Sequence, residues 1–146
     1  MPSSQRILAL DLGEARIGVA VSDPLGLTAQ PVGMIRTKSI KDALAQVAAL
    51  VAQYSPQAVV LGLPINMDGT EGDQAAWVRQ FGRRLAGRIA GVEIVYWDER
   101  LTSVASDALL ADSGLTSRKR REYRDKIAAA LILQAYLESR RPRDAR

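Results

Sequence analysis

The sequence contains no histidine and no cysteine. Histidine is the usual proton-transfer group near neutral pH, and cysteine thiolates serve as nucleophiles and as soft metal ligands. Their absence excludes a disulfide framework, a zinc finger and any catalytic site built on imidazole or thiolate chemistry. Aromatic residues make up only 5% of the chain, which disfavours a nucleic-acid-binding surface that works mainly by base stacking.

Long apolar runs are also missing. No segment has the roughly 20 consecutive apolar residues of a membrane span, and the N-terminus lacks the basic-then-apolar pattern of a signal peptide. The 146 residues are 47% hydrophobic and 25% charged, which is typical of one globular domain. We therefore expect a single domain over residues 1–146, located in the cytoplasm and without a membrane partner.

Positive charge is present in small excess, with a formal net charge of +4, but it is unevenly distributed. One basic run comprises Arg118, Lys119, Arg120 and Arg121, and a basic tail covers residues 140–146. We predict that the run is a flexible loop that binds phosphates without recognising sequence. The tail is explained equally well as solvated surface.

Hydrophobic periodicity predicts five strands and four helices. Ser39 is the expected N-cap of the first helix, and Pro56 is expected to prevent its continuation. The predicted strands are residues 6–11, 16–22, 28–37, 58–61 and 92–97, and the predicted helices are 40–54, a segment with apolar residues from 77 to 89, 103–112 and 122–139. Pro31 and Gly33 indicate that the third strand is irregular or at an edge.

The element order βββαβαβαα predicts an α/β fold with one mixed five-stranded sheet and helices on both faces. Short connections make the first three strands antiparallel, and helical crossovers make the later strands parallel to the first. The carboxyl ends of the parallel strands then meet at one edge of the sheet, where ligands usually bind.

Acidic residues stand at the ends of two of these apolar strands: Asp11 is the last residue of the first, and Asp98 and Glu99 directly follow the fifth. A third acid, Asp125, lies near the start of the last helix, and the small residues at 128 and 129 share its helical face, which would allow close approach to the sheet. A single acid at such a place is more often a turn residue or helix cap, and Asp125 alone is also explained by the helix dipole. Three acids at one edge favour a functional site.

Carboxylates brought together at neutral pH repel one another unless a cation is present. Mg²⁺ or Mn²⁺ binds through one or two carboxylates with water and substrate phosphate. Two such ions about 4 Å apart can activate water and stabilise the leaving oxygen in phosphodiester cleavage, without histidine. The composition is therefore compatible with an all-carboxylate metal site.

The segment after the fourth strand reaches the same edge of the sheet. Asp68 and Gly69 predict a tight turn, and Thr70 with Asp73 resembles a capping box for the next helix. Asn66 and the free amides of that helix could bind a phosphate, although a well-capped loop explains the same residues equally well. Arg16 is expected either to pair with an acid or to contact substrate.

Four segments in this order resemble the YqgF/RuvX family across about residues 6 to 138. They are DLGEARIGVA at 11–20, GLP and NMDGT within 62–70, DERLTS at 98–103 and DKIAA at 125–129. One such motif is weak, whereas four in order are highly specific. The resemblance implies the ribonuclease H-like fold and a nuclease that either matures the 5′ end of pre-16S rRNA or resolves Holliday junctions.

The resemblance also implies site residues. It implies that Asp11, Glu99 and Asp125 are the catalytic, metal-binding acids, holding Mg²⁺ or Mn²⁺ and most simply two ions. Asp98 is left without a defined role.

Substrate contacts are expected from residues in or near these motifs and from the basic run. The candidates are Arg16, Asn66, Arg100, Thr102, Arg118, Lys119, Arg120 and Arg121. Two positions, Ala15 and Arg124, depart from the family pattern and leave the details of substrate contact open.

Three classes of function remain open at this point. The chain is a metal-dependent nuclease on RNA or branched DNA, a nucleotide-binding phosphotransferase, or a non-catalytic ribosome-assembly module. The phosphotransferase interpretation is weak because related kinases need two such domains. No motif separates RNA from DNA, and a homodimer is expected only for symmetric cleavage of a junction.

Overall fold

The computed structural model of the protein describes residues 5–102 and 114–140. The strands and helices in these ranges are β1 (Ile7–Leu12), β2 (Arg16–Ser22), β3 (Ala29–Arg36), α1 (Ile40–Tyr54), β4 (Ala58–Leu63), α2 (Asp73–Ala86), β5 (Glu93–Asp98) and α3 (Ser117–Ser139). Residues 100–102 are also helical. The predicted helix at 103–112 and the tail from 141 onward lie outside the described residues.

The sheet has the strand order β3-β2-β1-β4-β5. β1 is antiparallel to β2 and parallel to β4, and β4 is parallel to β5, as predicted. The carboxyl ends of β1, β4 and β5 therefore meet at one edge, which we call the carboxyl edge. Its register places Leu63, at the end of β4, opposite Asp98, at the end of β5.

β3 is an edge strand, also as predicted. Its pairing with β2 shifts between Val19 and Ala20, where the partners change from Gly33 to Pro31. Proline cannot donate a hydrogen bond and is therefore tolerated at such a bulge. Gly33 has a φ of 143°, a conformation that a side chain would disfavour.

Two apolar cores cover the two faces of the sheet. α1 and α2 pack on one face, with Val47 and Phe81 fully buried, and α3 packs on the other, with Leu133 fully buried. The predicted helices on both faces are thus confirmed. α1 has the predicted bounds because the Ser39 hydroxyl accepts a hydrogen bond from the Asp42 amide at 3.1 Å.

The start of α3 differs from the prediction. The helix begins at Ser117, five residues before the predicted start, and the Thr116 hydroxyl caps it by accepting a hydrogen bond from the Lys119 amide at 3.2 Å. The prediction that Arg118–Arg121 form a flexible loop is therefore wrong. Arginine and lysine are good helix formers, and the run extends the apolar helix in the N-terminal direction as soon as a cap is available.

The start of α2 also differs. Its N-cap is Gly72, which provides no side-chain hydrogen bond, so the predicted capping box is wrong. The Thr70 hydroxyl instead donates to Asp68 at 2.6 Å within the preceding turn. The helix ends at Ala86, and Ile89 packs against the core from the turn that follows. Across the described ranges, no helix is long and apolar enough to cross a lipid bilayer.

Candidate active site

Asp11 and Glu99 come together at the carboxyl edge. Asp11 lies in β1 opposite Gly18 of β2, and Glu99 follows β5 directly. The Glu99 amide donates a hydrogen bond to the Leu63 carbonyl at 3.1 Å, which holds the residue beside the end of β4. The two carboxyl groups are hydrogen-bonded to each other across the intervening strand.

Gly62 provides the space for this contact. A Cβ at this position would lie 2.5 Å from Glu99 Oε1 and 2.7 Å from Ile132 Cδ1. Both distances are too short for carbon, so a glycine is needed for the Glu99 side chain to cross β4. Gly62 belongs to one of the four motifs, but its role was not predicted, although a glycine inside an apolar strand is a general indication of close approach.

The paired carboxyls ionise at higher pH than usual. Burial, followed by the charge of Asp11 and the hydrogen bond to it, raises the pKa of Glu99 from 4.5 to about 7. Burial also raises the pKa of Asp11, although the hydrogen bond from Glu99 partly offsets this effect. Without a cation, the pair is therefore arranged to share one proton, with protonated Glu99 as the donor to Asp11.

α3 brings Asp125 to the same place by close packing on the sheet. Ala129, one turn after Asp125, is buried, and its Cβ is 3.7 Å from the point where a Cβ on Gly18 would lie. This confirms the close approach predicted from the alanines. The negative charge of Asp125 is near enough to contribute to the raised pKa of Asp11, while its own side chain is exposed.

Two adjoining cavities meet at these acids. The first, of about 190 Å³, is lined by Asp11, Glu99, Thr102, Arg124, Asp125, Ala128, Leu131 and Ile132. The second, of about 390 Å³, is lined by Asp11, Gly13, Glu14, Ala15, Arg16, Met34 and Asp125. Asp11 and Asp125 line both cavities, so the predicted acid trio faces open space large enough for small ligands.

The donor set fits a hard divalent cation. In residues 5–102 and 114–140, no three acids are already arranged as a complete metal centre. Asp11 and Glu99 are hydrogen-bonded to each other, and the Asp125 side chain is exposed. The site offers carboxylate oxygens of the kind that Mg²⁺ and Mn²⁺ prefer. A cation held by Asp11 and Glu99 would replace their shared proton and would offset the burial that, ahead of the neighbouring charges, raises their pKa values.

Asp98 points to a different partner from Glu99. It forms an ion pair with Arg100, with Asp98 Oδ2 2.8 Å from Arg100 Nη2, and a further bond from Arg100 Nε. Arg100 Nη1 also donates to the Asn66 carbonyl at 3.4 Å. This pairing lowers the pKa of Asp98, so it stays ionised where Glu99 does not. The family resemblance already selects Glu99 over Asp98, but no local pattern in the sequence predicts that Asp98 pairs with Arg100.

The remaining predicted contacts lie around the same edge. Thr102 lines the first cavity, and its hydroxyl accepts a hydrogen bond from Trp97 Nε1 at 3.0 Å. Arg16 is exposed and lines the second cavity. Asn66 lies in the turn after β4, with its side-chain amide donating to the Thr70 hydroxyl at 3.0 Å. All three stay predicted substrate contacts.

The basic run lies on the same helix as Asp125. Arg118 and Lys119 are exposed and Arg120 is half-buried. Arg118 precedes Asp125 by seven residues, which places it on the same helical face about 10 Å away. The run is therefore ordered on α3, with Arg118 on the face of Asp125 and Lys119 and Arg120 turned successively away from it.

Comparison with known sequences identifies the family. The RuvX family, described as Holliday junction resolvase, matches residues 5–139. The chain belongs to the RuvX family. A RuvX relative from Agathobacter rectalis is 46% identical over 136 residues, covering 91% of this chain and 94% of its own length. A relative from Myxococcus xanthus is 46% identical over 139 residues, which cover 95% of this chain and 91% of the relative. Both are provisionally named pre-16S rRNA nuclease.

Solved structures agree on the fold of this RuvX protein. Thermus thermophilus RuvC in complex with a Holliday junction substrate has a TM-score of 0.58 at 15% identity, covering 93% of this chain and 96% of that one. The fowlpox virus Holliday junction resolvase has a TM-score of 0.53 at 14% identity, and the match covers 92% of this chain and 98% of the resolvase. The predicted ribonuclease H-like α/β fold is confirmed.

Proposed function

We propose that this RuvX protein is a divalent-metal-dependent nuclease that hydrolyses phosphodiester bonds during 5′-end maturation of pre-16S rRNA. The observation that carries the proposal is the carboxyl pair of Asp11 and Glu99, buried together at the carboxyl edge with Asp125 across the cavity. The names of the relatives supply the substrate, and pre-rRNA as substrate implies a cytoplasmic location.

The three acids would hold Mg²⁺ or Mn²⁺, most simply as two ions, since all three line the first cavity and Asp11 and Asp125 also line the second. The bound metal would supply an activated water and stabilise the leaving oxygen of the cleaved bond. The protein itself contributes the placement. β1 and β5 fix two acids at one sheet edge, and α3 carries the third on a helix packed closely against Gly18.

Cationic side chains around the site would hold the phosphates that flank the cleaved bond. Arg16 and Asp11 line the same cavity, and Arg118 lies two turns before Asp125 on the same face of α3, with Lys119 and Arg120 on the adjoining faces. Such contacts neutralise backbone charge and position the strand without recognising its sequence. The low aromatic content of the sequence agrees with recognition by charge and shape.

Holliday junction resolution is the second candidate because the family description carries that activity. The two activities make different demands. Symmetric cleavage of a four-way junction requires two active sites related by a two-fold axis, so it requires a homodimer, whereas trimming of one RNA end needs a single site.

Side-by-side turnover tests the substrate. Purified protein is given precursor 16S rRNA fragments and four-way DNA junctions with Mg²⁺ or Mn²⁺, and the mass of the active species is measured in solution. We expect cleavage of the RNA at the mature 5′ end, and no activity in an Asp11→Asn preparation made in parallel. Faster paired cleavage of the junction by a dimer would replace pre-rRNA processing with the resolvase function.

A further inference from the structure

The loop at residues 64–72, between β4 and α2, is an ordered structure rather than a passive connection. Ile65 forms a β-bridge with Glu71, and the Asn66 backbone amide donates to the Thr70 carbonyl at 2.9 Å. At the tip, the Gly69 amide donates to the Asn66 carbonyl at 2.9 Å, and the Asp68 carboxylate accepts from both the amide and the hydroxyl of Thr70. The tip is thus a hydrogen-bonded turn with Met67 and Asp68 at its centre.

Two arginines anchor this loop from outside. Arg79 of α2 binds Glu71 with two parallel bonds, Nε to Oε1 at 2.7 Å and Nη2 to Oε2 at 2.8 Å. On the other side, Arg100 donates to the Asn66 carbonyl while Asp98 holds its guanidinium. Because Arg100 follows Glu99 directly, the residue before Met67 is hydrogen-bonded to the residue after a predicted catalytic acid.

This anchored turn presents one apolar side chain to solvent. Met67 is 93% exposed, more than any other large hydrophobic residue in the described part of the chain. A single exposed apolar residue is ordinary on a protein surface. The position of Met67 is unusual because the side chains of Asn66, Asp68 and Thr70 around it are polar and hydrogen-bonded. The loop is also bonded to Arg100, the residue that follows Glu99.

We propose that Met67 contacts an unpaired nucleobase of the substrate near the acid site, and that this contact favours unpaired over fully paired strands. The inference rests on the proposed nuclease function. Apolar side chains, including methionine, insert against bases in nucleic-acid complexes, and a thioether packs favourably on an aromatic ring. The polar tip positions the side chain, and the anchors limit its movement.

Fluorescence titration tests the proposal. One RNA hairpin carries 2-aminopurine in a 5′ single-stranded extension, and a second, blunt hairpin carries it in the paired end. Titrations in EDTA keep the RNA intact, and gels verify this. We expect Met67→Ala to weaken binding of the extended hairpin about 10-fold, with reduced fluorescence change, and to leave the blunt hairpin nearly unaffected. Met67→Leu should retain most of the affinity.

Leu25→Ala is the matched control. Leu25 is 64% exposed and follows β2, at the sheet edge opposite the acids, so its replacement should change neither titration. Equal affinity of wild type and Met67→Ala for the extended hairpin, or the same weakening on both hairpins, would overturn the proposal. If the protein shows no metal-dependent cleavage but its binding still depends on Met67, the nuclease function alone is overturned. Cleavage whose unpaired-strand preference survives Met67→Ala would overturn the role of Met67 alone.

Discussion

The Asp11–Glu99 pair predicts a stability that depends on pH and on divalent cations. Raising the pKa of Glu99 from 4.5 to about 7 means that its ionised form costs the folded state up to about 3 kcal/mol, at about 1.4 kcal/mol per tenfold change in proton affinity. Partial solvent access makes this an upper limit. Because the folded-state pKa is raised, the contribution of this group is complete below about pH 4.5 and is lost as pH rises through about 7.

Glu99→Gln is the matched perturbation, because glutamine can still donate a hydrogen bond to Asp11 but cannot ionise. We expect the variant to gain stability over wild type as pH rises from 5 to 8, by about 1 to 3 kcal/mol in metal-free buffer. Because the two proteins differ only at residue 99, the effects of titration elsewhere cancel when one unfolding free energy is subtracted from the other. The assay is urea unfolding at several pH values, followed by fluorescence of Trp97 and Trp77.

Added Mg²⁺ or Mn²⁺ should reverse this difference. A cation bound to the folded state at 100 times its Kd contributes about 2.7 kcal/mol, and wild type should receive more of this stabilisation than Glu99→Gln. A stability difference that stays flat between pH 5 and 8 would refute the ionisation argument. Equal stabilisation of both proteins by the metal would refute the assignment of Glu99 as a ligand.

Three further predictions concern individual residues. Gly62→Ala should destabilise the fold by about 1 to 3 kcal/mol and reduce cleavage, because the added Cβ would overlap Glu99. Unfolding and cleavage assays measure both effects. Gly87→Ala is the control, since its Cβ would come no closer than 3.5 Å to a neighbouring atom. Asp98→Asn should retain measurable metal-dependent cleavage, because its carboxylate is paired with Arg100, and activity as low as that of Glu99→Gln would contradict this separation of roles. Replacing Arg118, Lys119 and Arg120 with glutamine should weaken RNA binding. The slope of log binding constant against log salt concentration should become shallower by about 0.7 for each phosphate that the variant no longer neutralises. An unchanged slope would mean that the run is only solvated surface.

Elements whose ends depend on local chemistry were predictable from the sequence. β2 and α1 have the predicted bounds, because the continuous apolar run of β2 and the helical apolar stripe of α1 end at residues with clear turn or capping chemistry. The start of α3 was missed because a run of cations is polar on every side and shows no apolar face, although Thr116 provides a cap. Local sequence predicts a helix end poorly where the helix leaves the core.

Strand order predicts the candidate acids as a group, whereas only the family resemblance separates Glu99 from Asp98. Strand order predicts that Asp11 and the Asp98–Glu99 pair share an edge, yet adjacent acids are equivalent until their partners are known. The distinction depends on tertiary contacts: Arg100 pairs with Asp98, and Gly62 leaves space for Glu99. The exposure of Met67 likewise depends on the fold of the loop around it.

Metal-dependent cleavage by the three acid variants tests the central claim most directly. Asp11→Asn, Glu99→Gln and Asp125→Asn are assayed on precursor rRNA fragments and four-way junctions at saturating Mg²⁺ and Mn²⁺, with folding verified by circular dichroism. An all-carboxylate metal site predicts that cleavage by each folded variant falls by at least about 100-fold, the scale of removing an acid–base or charge-stabilising group. Cleavage at the wild-type rate by all three variants would contradict it.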